Sequence, residues 1–160
     1  MWDHPVVSEA VFGNENAIIF LRTIANTLHL WDDLIDKDLP LDDEQVNKAF
    51  HDLFITIPCN SFYQKYSAFL HPVLVNAIIN WHTANSFEEG TDPNELHIAF
   101  IIRSSYIDIL TASAFVLGGM THARKVAVTA RKWAHEEGFD QYIGNLARER
   151  RTKDVLQQRA

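Results

Sequence analysis

The sequence predicts an all-α protein, a single-domain helical bundle of about 7–8 helices, and three observations carry that expectation. Only six Gly and five Pro punctuate 160 residues, so the elements between them are long. Apolar residues recur at steps of three and four rather than in alternation, which is the helical period. The β-branched runs at 98–102 and 126–129 sit inside longer segments of that same period, so neither reads as a strand.

The punctuation places the elements in order. Pro5 opens a first short helix over 6–12, ended by Gly13. The second runs over 16–36 and stops ahead of Pro40. Asp42 or Asp43 caps a third that reaches 56, before Pro58. Ser61 caps a short helix to 69, and Pro72, in a first-turn position, opens another to 86. Glu88-Glu89-Gly90-Thr91-Asp92-Pro93 reads as a loop, with Asp92 capping a long helix over 93–117. Gly118-Gly119 ends that helix, Thr121 caps the next to 137, and a more polar helix begins near Asp140. The domain spans 1–160, with 150–160 as a frayed, charged tail. Leu28, Trp31, Ile98, Ile102, Phe115 and Trp133 are expected in the core.

Bulk composition narrows the class. An apolar content of 47% and a charged content of 22% are ordinary for a globular chain. Cys59 is the lone cysteine and has no disulfide partner. Met1-Trp2-Asp3-His4-Pro5 lacks the basic and apolar regions of a signal peptide, so a cytoplasmic location is expected. The apolar stretch 98–120 contains Arg103 and Asp108, which cost roughly 2.5–3.5 kcal/mol each at a bilayer centre. A core helix is therefore expected there, and no membrane span.

Charge is uneven along the chain. Residues 1–121 hold 16 Asp and Glu against 5 Lys and Arg, whereas residues 122–160 hold 5 against 9. The acidic majority repels nucleic acid, which is not expected as a partner. A small-molecule partner is expected, and oligomerisation is compatible with the composition.

The second helix carries the main candidate site. On a helical wheel Arg22, Asn26, His29, Asp33 and Asp36 form one polar stripe, with Asp32 beside it one turn before Asp36. The remaining positions are mostly apolar, as in a buried helix, so the stripe must face water, a partner or a cavity. Asp32, Asp33 and Asp36 repel one another, and each sits where the helix dipole disfavours a negative charge by about 0.3–1 kcal/mol. Carboxylates one turn apart are hard oxygen ligands suited to Mg²⁺, or to Mn²⁺ in its place. The bland alternative is a solvated acidic helix end.

Later helices carry further polar stripes. Asn76, Asn80 and Thr83 share one face, and His97, Ser104, Asp108 and Thr111 another, which suggests a polar cavity among three helices. The residues expected to contact a ligand are Arg22, Asn26 and His29, with Asn80, Arg103 and Asp108. Asp108 pairing with Arg103 or Arg22 in a salt bridge is the alternative. No HExxH, ExxH or GxSxG pattern is present.

The segment Leu28-His29-Leu30-Trp31-Asp32-Asp33-Leu34-Ile35-Asp36-Lys37-Asp38 resembles the first aspartate-rich motif, DDxxD, of class I isoprenoid (polyprenyl diphosphate) synthases. The resemblance implies a shortened isoprenoid-synthase-like fold. It also implies Mg²⁺ ligation by Asp32 and Asp36, with Asp33 in support, and a prenyl-type diphosphate as the bound compound. Chains of that family carry a second metal motif on a facing helix. Here neither a second DDxxD nor an NDxxSxxxE pattern occurs, and Glu136-Glu137-Gly138-Phe139-Asp140 is the nearest approach.

The resulting expectation is a Mg²⁺-dependent binder, or a transferase or lyase, acting on a diphosphate compound. An all-α nucleotide pyrophosphohydrolase and a non-catalytic helical interaction module are the alternatives. The pyrophosphohydrolase class requires closely spaced ExxE and ExxD pairs, and the ExxD pairs here, Glu89 to Asp92 and Glu137 to Asp140, both lie far from Asp36.

Overall fold

The computed structural model describes residues 4–36 and 41–157, with the side chains of Asp36 and of 152–157 excepted. All the regular elements among them are helical: α1 (Pro5–Ala10), α2 (Glu15–Asp36), α3 (Asp43–His51), a π turn (Asp52–Thr56), α4 (Ile57–Cys59), α5 (Ser61–Glu88), α6 (Pro93–Ile102), α7 (Ile107–Ala134) and α8 (Phe139–Gln157). The all-α expectation holds. Six of these helices reach nine residues or more, slightly fewer than the 7–8 expected.

The caps explain most boundaries. His4 accepts the Val6 amide ahead of Pro5, and Asn14 accepts the Ala17 amide at the start of α2. Asp42 and Gln45 form a reciprocal capping box on α3. Asn60 caps α5 through Tyr63, and its amide also donates to the Asn16 carbonyl, tying α5 to the start of α2. Asp92 accepts from Asn94 and Glu95 ahead of α6.

The structure departs from the expected boundaries at Pro72 and at 103–106, and keeps the break at Gly118-Gly119. Pro72 lies inside α5 instead of opening a new helix, so 61–88 is one element. The expected helix over 93–117 is broken at 103–106, where the chain turns between α6 and α7. This turn also divides the apolar region Pro93–Ala134, which passes for a membrane span by length and composition alone. The expected break at Gly118-Gly119 appears as a non-helical backbone at Gly119 (φ 71°, ψ −175°) within α7.

The core is built from α1, the first half of α2, parts of α5, and α7. Val7, Val11, Phe20, Leu21, Leu70, Ile107, Ile109 and Leu110 are its largest fully buried apolar side chains. Of the six residues expected there, Leu28 and Trp133 pack partly buried against it, and Trp31, Ile102 and Phe115 are half-buried. Ile98 is 41% exposed, which corrects that expectation. Helix α6 is apolar on nearly every side, so its sequence cannot select which side turns inward; Ala99 is the position it buries.

Helix α8 docks through aromatic rings and polar ties. Phe100 of α6 packs on Phe139 and Tyr142 at 5.6 and 5.2 Å. The Tyr142 hydroxyl donates to Glu88 at 2.5 Å, and Arg150 donates to the Glu88 and Gly90 carbonyls at the C-terminal end of α5.

Candidate ligand cavity between α2 and α3

Helix α2 changes character along its length. Its first half buries Ala17, Phe20, Leu21 and Ile24, while Leu28, Leu30 and Trp31 beyond it are only half-buried. Thr23 and Thr27 close the buried half, with the Thr27 hydroxyl bonded back to the Thr23 carbonyl at 2.9 Å. The polar stripe then faces outward: Arg22, Asn26 and His29 are exposed and Asp33 is half-buried.

Asn26, His29 and Asp33 line a cavity of about 230 Å³, together with Thr27 and Leu30 of the same helix. Its opposite wall comes from Leu41 and from Gln45, Lys48, Ala49 and Asp52 of α3 and the π turn. The cavity thus collects two carboxylates from different elements, one ammonium, two side-chain amides and an imidazole.

Asp52 owes its place to the widened π turn. Its side chain is 7% exposed and ion-paired with Lys48, whose own side chain is 65% exposed. The Thr56 hydroxyl donates to its second oxygen at 2.9 Å. A carboxylate buried this far needs such donors, since an unpaired buried charge is strongly unfavourable.

Asp32 points elsewhere. It accepts from the Trp81 indole N–H at 2.9 Å and from Arg103 at 3.2 Å. Arg103 also donates to Glu88 at 2.5 Å and to Asn85 at 3.2 Å. Burial opposes the Arg103 charge, but the carboxylates of Glu88 and Asp32 outweigh it and hold its pKa above the usual value. Burial, followed by the hydrogen bond to Glu88, likewise raises the Tyr142 phenol. Trp31 supports this corner by packing on Trp81 at 5.1 Å.

The three aspartates expected to bind metal therefore part company. Asp33 lines the cavity, Asp32 is engaged by Arg103 and Trp81, and the side chain of Asp36 lies outside the described residues. Among the expected ligand-contacting residues, Asn26 and His29 line the cavity, and Arg22 is exposed on the same helix. Asn80 donates to Ser105 at 2.8 Å, and Asp108 pairs with Arg131 at 2.5 Å, rather than with Arg103 or Arg22. The cavity lies between α2 and α3 instead of among the three helices with polar stripes. Among the described residues, no group of three or more His, Cys, Asp or Glu is gathered around one point.

Sequence reasoning missed Gln45, Lys48 and Asp52. The signal was present: Lys48, Asp52 and Thr56 recur at four-residue steps through an apolar run of Phe50, Leu53, Phe54 and Ile55, the same pattern that marked α2.

No family model, curated protein or solved structure matches the chain. The likeness to isoprenoid synthases accordingly stands on the DDxxD segment alone.

Proposed function

We propose that the chain is a Mg²⁺-dependent binder of a small diphosphate compound, held in the cavity between α2 and α3. The observation that carries this reading is that Asp33 and Asp52, from different elements, line one cavity with Lys48. Mg²⁺ keeps several waters and needs only one or two protein carboxylates when substrate phosphates complete its shell. Two carboxylates meet that requirement without a larger acidic cluster.

Charge explains why the cation is required. Asp33, Asp52 and Lys48 sum to one negative charge with His29 neutral, so a free diphosphate is repelled. A divalent cation reverses the sign, and Lys48, Asn26 and Gln45 then offer donors to the phosphate oxygens. A volume of about 230 Å³ falls below the roughly 300–1,000 Å³ of sites for drug-sized ligands. It suits a phosphorylated head group, with the rest of the ligand outside. In the transferase or lyase form of this reading, Asp33 and Asp52 would hold the cation, which would supply Lewis-acid assistance to a departing diphosphate.

Calorimetric titration with inorganic pyrophosphate tests the proposal, with and without Mg²⁺ or Mn²⁺. Binding should require the cation, and Asp33→Asn and Asp52→Asn should each weaken it at least tenfold. Absence of binding by the parent, or equal binding by both variants, overturns the reading.

A further inference from the structure

Lys48 of α3 and Asp52 of the π turn form an ion pair on one wall of the cavity. The two ends of that pair are unequal. The π turn sets Asp52 inward, with 7% of its side chain exposed, while Phe50 and Phe54 on either side of it stay outside. Lys48 reaches the carboxylate from solvent and keeps 65% of its own side chain exposed.

Asp52 does not depend on Lys48 for its position. Lys48 bonds one carboxylate oxygen, and the Thr56 hydroxyl donates to the other at 2.9 Å. The carboxylate therefore stays in place when the ammonium leaves. A helical i,i+4 pair with an exposed partner adds little stability, and lysine is a compact charge on a flexible stem. The ammonium is the part that can move. A buried carboxylate nevertheless needs a positive partner at all times.

We propose that Lys48 is a resident counter-ion of this site, which neutralises Asp52 in the free protein and passes to the phosphate oxygens when Asp52 takes a divalent cation. The proposal rests on the diphosphate reading and assigns that site its regulation. With the ammonium in place Asp52 is already neutralised, and its exchange onto a lone cation leaves Lys48 facing a like charge. When diphosphate accompanies the cation, the same ammonium gains an acceptor of opposite charge. Lys48 thus disfavours the cation alone and favours it together with diphosphate, a coupling that acts equally on both ligands. The free site is guarded against the bare ion.

Mn²⁺ is the probe, since electron paramagnetic resonance counts its free form directly. The full chain and Lys48→Met are titrated with Mn²⁺ alone, then by calorimetry with Mn²⁺ and inorganic pyrophosphate together. Lys48→Met should bind Mn²⁺ alone about tenfold tighter and manganese pyrophosphate about tenfold weaker, within the usual range of coupling between sites. Lys48→Arg, which keeps the charge, should follow the parent in both. Circular dichroism checks folding, and Lys48→Gln replaces the methionine variant if that one is perturbed. Unchanged or weaker Mn²⁺ binding by Lys48→Met overturns the proposal, and the diphosphate reading survives if the parent still binds manganese pyrophosphate. Tighter Mn²⁺ binding with no loss of pyrophosphate also overturns it, because Lys48 then never reaches the phosphate. A parent that binds neither Mn²⁺ nor its pyrophosphate complex overturns both readings.

Discussion

Asp108 and Arg131 meet at 2.5 Å although they stand 23 positions apart along α7. In a straight helix that separation is about 35 Å, at 1.5 Å per residue. The same closure brings Ser104 within 3.2 Å of His135. Helix α7 is therefore a helical hairpin, folded back at Gly119, and much of the buried apolar surface lies along its two arms.

Gly119→Ala should destabilise the protein by about 1–3 kcal/mol, the usual size of strain in a backbone region reserved for glycine. The loss comes from φ 71° and ψ −175° rather than from crowding, since a Cβ there meets nothing within 4 Å. At Gly118 the reverse holds: an added Cβ would sit 2.6 Å from the His122 ring. Urea denaturation of the two alanine variants checks both. A Gly119→Ala protein as stable as the parent would refute the hairpin.

Pro72→Ala should stabilise α5 by about 1–3 kcal/mol. Proline inside a helix removes one amide donor and crowds the preceding turn, at a penalty of about 3 kcal/mol, and relief of this penalty is partly offset because the unfolded chain gains freedom once the ring is gone. Thermal unfolding followed by circular dichroism reads the difference. A lower midpoint for the variant would show that the ring has a packing role in the native state.

Arg103→Ala should cost about 2–3 kcal/mol. Removing one partner of a fully buried pair costs about 3–5 kcal/mol, but Arg103 and Asp32 keep 28% and 29% of their side-chain surface exposed. Glu88, only 10% exposed, is the carboxylate left worst off. Chemical denaturation of Arg103→Ala, with Arg103→Lys as the partial restoration, gives the measurement. A loss under half a kcal/mol would make the pairing a surface feature.

Alkaline unfolding should depend on Tyr142. Burial and the bond to Glu88 keep its proton in place above the ordinary 10.0, so above that pH the native state holds a proton the unfolded chain releases. Stability is then fully present below pH 10 and falls as pH rises toward the native value. Burial raises Tyr106 in the same direction. Tyr142→Phe should therefore flatten the alkaline decline without abolishing it. Melting midpoints from about pH 8 to 11 provide the comparison, and curves of equal slope would exclude Tyr142 as a source.

The sequence by itself determined the helical class, the caps at Asp42 and Asp92 and the polar face of α2, because these depend on residues within one or two turns. Asp42, Asp92 and Pro93 act on their immediate neighbours, and the Gly118-Gly119 break was legible for the same reason. Tertiary structure decided the charges. Asp32 finds Arg103 across 71 residues, and Asp108 finds Arg131, so a triad uniform in sequence becomes one engaged carboxylate and one facing a cavity. It also decided the far wall: the π turn inserts Asp52 and leaves Phe50 and Phe54 outside. Local periodicity names the stripes of a helix, but the energy that chooses which stripe is buried comes from the surfaces packed against it.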